Sequence, residues 1–219
     1  MSAAIEVEVA GTPVQLLAER AVFWPAAGLL AVADLHWGKA ETFHRFGVPV
    51  PAGVLADDLA RLGRALARSG ATHLVVLGDL LHGPAALVEG VVAEVTAWRH
   101  QWPVAMTLAT GNHDRTQGAP LPLPPAWGIE AVEAVRAGPF CFRHEPVAEA
   151  GAYVWCGHLH PMVGLGRGVR LPCFHLGTTV GVLPAFSAFT GGVGVRQRPG
   201  ERCFGVAGGR VVAVPGRAE

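Results

Sequence analysis

Along the first half of the chain, apolar and polar positions switch between two periods. Residues 28–33 form a short apolar run that ends at Asp34. Residues 54–69 carry apolar side chains at helical spacing, with Leu55, Leu59, Leu62 and Leu66 on one face. Asp58, Arg61, Arg64 and Arg68 fall largely off that face, so an amphipathic helix is expected. Residues 73–77 are a second apolar run, ending at Gly78-Asp79. Residues 85–100 read as another helix, stopped by Pro103, and residues 104–109 as a third run leading into Gly111-Asn112. This strand–helix–strand order predicts parallel strands joined by right-handed crossovers. It sets Asp34, Asp79 and Asn112 just past the C-terminal ends of three strands, where open α/β sheets gather their ligands.

From Ile129 onward the pattern changes to short segments rich in Val, Phe and Gly, with frequent Gly and Pro between them. Residues 140–143, 153–156, 169–175, 180–186, 203–206 and 211–214 read as strands of a second sheet. The Pro-rich residues 120–125 read as a surface loop. No internal repeat and no long linker interrupts the chain. The expectation is therefore one α/β domain over residues 1–219.

Composition adjusts this picture in three ways. The chain is 51% hydrophobic with 29 Gly and 17 Pro, which fits a large core broken by many tight turns. Its formal net charge of +0 provides no global field toward nucleic acid or anionic lipid, so any nucleic-acid contact must come from a local patch. Cys141, Cys156, Cys173 and Cys203 form no C-x-x-C pair, as expected of free thiols in a reducing compartment. The N-terminal residues lack a signal-peptide pattern, and no apolar run approaches the ~20 residues of a membrane helix. A soluble cytoplasmic protein without a membrane partner is expected.

The chemistry lies in the histidines. Six of the ten fall inside five short motifs in fixed order: Asp34-Leu-His36, Gly78-Asp79-Leu-Leu-His82, Gly111-Asn112-His113-Asp114, His144-Glu-Pro, and Gly157-His158-Leu-His160. Together they offer carboxylate oxygen, imidazole nitrogen and amide oxygen, a set suited to first-row transition metals and larger than one ion can use. A two-metal hydrolytic site is the expectation. Asp34 and His36 straddle one residue, so an extended backbone would point both to the same side. Asp79 has two oxygens with which to bridge two cations. Asn112, the single Asn of the chain, offers an uncharged carbonyl oxygen. His113 is the candidate proton donor to the departing oxygen, with Asp114 to fix its tautomer. His144 follows a short strand, and His158 and His160 repeat the D-x-H logic on another extended segment. His82 either lines the pocket or orients a ligand. Lys39, the single Lys, and His44, Arg45 and Arg115 are candidates to hold substrate phosphate, whereas His73, His100 and His175 are read as structural.

This ordered set resembles that of the calcineurin-like metallophosphoesterase superfamily. The segments Ala33-Asp-Leu-His-Trp-Gly-Lys-Ala-Glu-Thr-Phe43, Gly47-Val-Pro-Val-Pro51, Arg170-Leu-Pro-Cys-Phe174, Leu183-Pro-Ala-Phe186 and Phe189-Thr-Gly-Gly192 resemble its DNA-ligase-associated branch. That branch is linked with a bacterial DNA-damage response, alongside a ligase and a helicase. The resemblance implies a two-sheet β-sandwich flanked by helices. It implies one metal on Asp34, His36, Asp79 and His160, and another on Asp79, Asn112, His144 and His158. It also implies a phosphodiesterase acting on DNA; the imidazole-plus-oxygen ligands admit Mn, Fe, Zn and Co, with Mn the first choice and Fe or Zn next. Two alternatives are a hydrolase of small nucleotides or cyclic dinucleotides and a non-catalytic scaffold; retention of every motif position argues against the scaffold. His44 stands where the branch leads one to expect Arg.

Overall fold

A computed structural model describes residues 3–166 and 168–216. Three antiparallel strands open the chain: β1 (Ala4–Val9), β2 (Thr12–Leu17) and β3 (Ala21–Trp24). The reading above did not anticipate them, although Ile5-Glu-Val-Glu-Val9 alternates with the strand period. The anticipated core follows: β4 (Leu29–Val32), β5 (His73–Val76) and β6 (Ala105–Ala109), all parallel. Between them lie α1 (Lys39–Arg45), α2 (Val54–Ser69) and α3 (Glu89–Gln101). After β6 comes a small ribbon, β7 (Arg115–Thr116) with β8 (Ala119–Pro120).

β9 (Ile129–Val132) pairs parallel to β6 and so completes the first sheet, in the order β1-β2-β3-β4-β5-β6-β9. The change of pattern at Ile129 thus does not coincide with the change of sheet. The second sheet begins with β10 (Val135–Ala137), β11 (Phe140–Phe142) and β12 (Tyr153–Cys156). It continues through β13 (Pro161–Gly166), β14 (Val169–Leu176), β15 (Val180–Val182), β16 (Val193–Val195), β17 (Arg202–Ala207) and β18 (Arg210–Val214). Its path is β10-β11-β12-β15-β14-β13-β16, with β17 pairing β14 and β18.

The pleat sorts side chains between two cores. On β4 and β5, Leu30, Val32, Leu74 and Val76 join the helices in one buried cluster. Their neighbours Leu29, Ala31 and Val75 join Phe140, Phe142, Trp155 and Phe174 of the second sheet in another. Alternate residues of one strand thus serve both layers, which is why these runs read as continuously apolar. The result is a β-sandwich with helices over the outer face of the first sheet.

α2 has the bounds expected from its periodicity, and Leu55, Leu59, Leu62 and Leu66 are all buried. Gly70 ends it at φ 65°, its N–H bonded to Leu66 O at 2.9 Å, a left-handed cap that glycine adopts without penalty. Asp58 departs from the expectation: it is buried, accepting from Arg61 Nη2 at 2.6 Å and from the Ala188 amide at 3.3 Å. α3 starts later than its periodicity implied, because Pro84–Ala86 forms a separate 3-10 turn. Nor is the Pro-rich segment wholly at the surface. Leu121 is buried in the helix-side core, as is Trp127 just beyond the segment, and the Leu121 amide bonds Asp114 O. All four cysteines are buried and free. No helix among the described residues is long and apolar enough to cross a membrane.

Candidate metal centre

Five parallel strands aim their C-terminal ends at one place. Asp34 follows β4, Asp79 follows β5, and Asn112 follows β6; His144 follows β11, and His158 and His160 follow β12. Both sheets contribute, the first through Asp34, His36, Asp79 and Asn112 and the second through His144, His158 and His160. Asp34, His36, Asp79 and His144 form a buried floor, Asn112 and His158 an exposed rim, and His82, His113 and His160 lie half-buried between. Ligand atoms of Asp34, His36 and His160 all lie within 4.8 Å of one another, as do those of Asp34, Asp79 and His144, and those of His36, His82 and His113.

The backbone is not extended here, contrary to the expectation for the D-x-H and H-x-H segments. Asp34, His36, Asp79, His158 and His160 have φ of 57°, 47°, 51°, 69° and 46°, in the left-handed region that side chains disfavour by about 1–2 kcal/mol each. Side chains one residue apart still share a side because both turn through that region. Paired loops hold the strained backbone: Asp34 N bonds Gly78 O at 3.2 Å, His36 N bonds Asp79 O at 2.8 Å, and Trp37 N bonds Leu80 O at 2.8 Å.

Glycine precedes Asp79, Asn112 and His158 for reasons of space. A Cβ on Gly78 would enter the His144 ring, and one on Gly111 would stand 2.6 Å from Asp79 N and against Asp79 Oδ1. A Cβ on Gly157 would lie 2.7 Å from Asp34 Oδ2 and 2.7 Å from Ala33 Cβ. Each motif glycine therefore admits a ligand from a different motif.

The carboxylates are aimed by amides across motifs. Both oxygens of Asp34 accept from His158 N at 3.1 Å, and Asp79 Oδ1 accepts from His113 N at 3.0 Å. Asp114 corrects an expectation. Its oxygens accept from Gly111 N at 2.9 Å and Leu81 N at 3.2 Å, so it pins the loops and does not orient the His113 ring. His113 instead stacks on His82, with ring centroids 5.4 Å apart and planes 16° apart, and meets His36 edge-on at 5.2 Å.

Imidazole tautomers follow from the acceptors they face. His144 Nδ1 lies 3.0 Å from Leu77 O and His160 Nδ1 3.1 Å from Gly191 O; a carbonyl only accepts, so both Nδ1 atoms carry hydrogen. Their Nε2 lone pairs then face the cluster. His144 Nε2 is 2.9 Å from Asn112 Oδ1 and 3.0 Å from His158 Nδ1, a gathering of ligand atoms that suits a shared cation. His160 Nε2 and both ring nitrogens of His36 are buried without a hydrogen-bond partner. Burial, then His160, Lys39, His113 and His82, push the His36 pKa down to about 2, keeping its ring neutral and able to ligate. Burial raises Asp79 despite His144 at 3.5 Å. This donor set fits divalent metal ions, and these residues can hold them.

The remaining candidates divide. Lys39 Nζ sits at the mouth, 5.9 Å from the Phe43 ring centroid and 5.8 Å from that of Phe189, and burial lowers its pKa. Burial, then Lys39 and His113, bring His82 down to about 4. Arg115 donates to Thr110 Oγ1 at 2.8 Å beside the third motif. His44 is exposed and bonds Val50 O at 2.9 Å, outside the cluster. His73 and His175 are paired with Thr107 and Glu201, as structural histidines should be. The sequence reading assigned no role to Phe43, Phe189 or Gly191, which border the site although two of the segments quoted for the resemblance contain them.

No family profile matches the chain, and no curated protein matches it. Among solved structures, the Pseudomonas putida nuclease MPE is 36% identical with a TM-score of 0.84, over 96% of this chain and 100% of that one. A much looser likeness is to YfcE, a phosphoesterase from E. coli, at 18% identity and a TM-score of 0.39, over 80% of this chain and 86% of that one. That second likeness is too distant to bear on the assignment. The motif order, the convergence of two sheets on one metal-binding cluster and the near-complete match to the first structure agree: the chain belongs to the calcineurin-like metallophosphoesterases, in the DNA-ligase-associated branch, and is a metal-dependent phosphoesterase.

Proposed function

We propose that the chain is a nuclease that hydrolyses DNA phosphodiester bonds with two divalent cations. Asp34, His36, Asp79 and His160 would hold one ion, and Asp79, Asn112, His144 and His158 the other, with Mn the first choice of metal. The observation that carries the reading is the meeting of His144 Nε2, Asn112 Oδ1 and His158 Nδ1, possible ligand atoms from three motifs, beside Asp79. The nuclease identity of the 36% identical neighbour supports a nucleic-acid substrate.

When bound, the cations supply Lewis acidity to phosphoryl oxygens and a nucleophilic water at neutral pH. The chain supplies the rest. Backbone amides of His158 and His113 keep the two carboxylates turned inward, so little reorganisation is left for the reaction. The His113 ring, half-buried between His36 and His82, is the proton source for the oxygen that leaves phosphorus. Lys39 and Arg115 steady the phosphate groups of the strand. Action in a repair pathway with a ligase and a helicase belongs to the same proposal.

A metal-by-substrate panel on chelator-stripped protein tests it. Mn should restore cleavage of a DNA oligonucleotide more than Zn or Fe, with a steep fall as salt rises. Cleavage of a chromogenic diester or of cyclic dinucleotides, with DNA left intact under every metal, would defeat the nuclease reading and leave the metallophosphoesterase assignment standing.

A further inference from the structure

A second polar cavity lies apart from the metal cluster, where the β2–β3 turn, α2 and the β17–β18 turn meet. It encloses about 340 Å³ and is lined by Glu19, Arg20, Arg61, Arg64 and the turn glycines Gly208 and Gly209. That volume is within the lower part of the range for small-ligand sites.

Charge in and around it does not balance. Glu19 is engaged by Arg68 at 3.0 Å and Asp58 by Arg61 at 2.6 Å. Arg20 makes no direct ion pair among the described residues, with Asp58 favouring its charge from nearby, and Arg64 is left without a carboxylate. Arg64 makes no hydrogen bond or ion pair among the described residues. Arg20 uses one nitrogen, Nη1, on the carbonyls of Ala185 (3.0 Å), Phe186 (3.3 Å) and Ser187 (3.0 Å). Arg61 Nε and Glu19 Oε2 are both buried and unpartnered. Glu19 itself is only 7% exposed. A local surplus of guanidinium thus stands in a chain of net charge +0.

The turn is also strained. Arg20 has φ 66°, a left-handed conformation that a long side chain takes only when the surroundings impose it. Burial, and then the neighbouring Arg61, pull the Arg20 pKa down to about 10. Asp58 offsets only part of this repulsion, and with Glu19 engaged by Arg68 the cleft keeps more guanidinium than carboxylate, a surplus that a further anion would neutralise. Planar guanidinium forks suit phosphate oxygens better than any other common anion. Gly208 and Gly209, both at positive φ with nothing within 4 Å of a built Cβ, leave the opposite wall open to a ligand.

We propose that this cavity is a binding site for the phosphate group of a small molecule, inorganic phosphate or a mononucleotide, seated against Arg20, Arg61 and Arg64. The same arginines reach the metal centre by a short path. Arg20 and Arg61 hold the carbonyls of residues 185–187, and Phe186 N and Ser187 N bond Ala33 O at 2.7 Å and Asp34 O at 3.3 Å. A phosphate drawing on those guanidiniums therefore acts on the strap that supports Asp34.

Calorimetric titration of the intact protein with inorganic phosphate and with a 5′-mononucleotide tests the site, each with divalent metal present and with excess chelator. Saturable binding should persist in chelator, since arginines need no metal. It should weaken at least tenfold in Arg64→Glu and recover partly in Arg64→Lys. Arg64 is exposed, so thermal midpoints of these variants should match the wild type. Tighter binding of the mononucleotide assigns the cavity to a nucleotide, and equal binding to free phosphate. Binding abolished by chelator, or binding indifferent to Arg64→Glu, would overturn the proposal. Arg64-sensitive binding confined to an oligonucleotide would overturn it too. None of these outcomes depends on whether the metal centre cleaves DNA.

Discussion

The carboxylate of Asp79 is hemmed in by three motifs at once: Gly111 behind it, the His113 amide on Oδ1, and His144 Nε2 at 3.5 Å. A methyl group at Gly111 meets backbone and ligand atoms rather than a flexible side-chain tip. Gly111→Ala should therefore displace Asp79, with a cost of about 1–3 kcal/mol from overpacking and a fall in bound metal measured by elemental analysis. Full metal content with an unchanged rate would refute this account of the motif glycine. His113 occupies a different position, its ring packed between imidazoles and free of Asp114. His113→Ala should lower turnover by about 10²–10⁴-fold while metal content stays at the wild-type value. Equal loss of both would make His113 a ligand and not the acid.

At the scale of elements, α2 shows what periodicity specifies. Its leucine face is buried in the helix-side core, and Leu62 is fully enclosed. Leu62→Ala should cost about 2–5 kcal/mol, read from a denaturant midpoint. Gly70→Ala meets no steric obstacle, so only its φ of 65° opposes the change. A loss of about 1 kcal/mol with activity intact is expected. A larger loss would mean that the cap has contacts the structure does not contain. The motif loops obey other rules. Five of the proposed ligands sit at positive φ, a conformation that local preference resists and tertiary pairing imposes. Extended geometry was the natural reading of D-x-H from sequence because nothing local signals the left-handed turn.

At the scale of the molecule, both sheets must dock before the site exists. Asp34 and Asp79 come from one sheet and His144, His158 and His160 from the other. Metal should therefore stabilise the docked sandwich. At an ion concentration near 100 times the dissociation constant, about 2.7 kcal/mol per site is expected, visible as a rise in thermal midpoint on adding Mn to chelator-stripped protein. Asp79→Ala should lose most of that rise, because Asp79 is proposed to serve both ions. An undiminished rise in that variant would exclude a shared aspartate.

The sequence alone determined the strand–helix–strand order of the first half and the face of α2, and it supplied the donor types that the folded chain gathers. These follow from short-range regularities: hydrophobic period, turn residues, and donor types at fixed spacing. It did not announce the N-terminal strands, whose alternation is brief, or the allegiance of β9, since an edge strand's apolar pattern does not name its sheet. Tertiary structure decided which atoms meet. Only in the folded chain does Asp114 turn to the amides of Gly111 and Leu81, His144 present Nε2 to Asn112, and Asp58 sink beside Arg61. The Asp114–Leu81 and His144–Asn112 partners lie more than thirty residues apart, and burial depends on the layers that close over a side chain, so no local pattern encodes them.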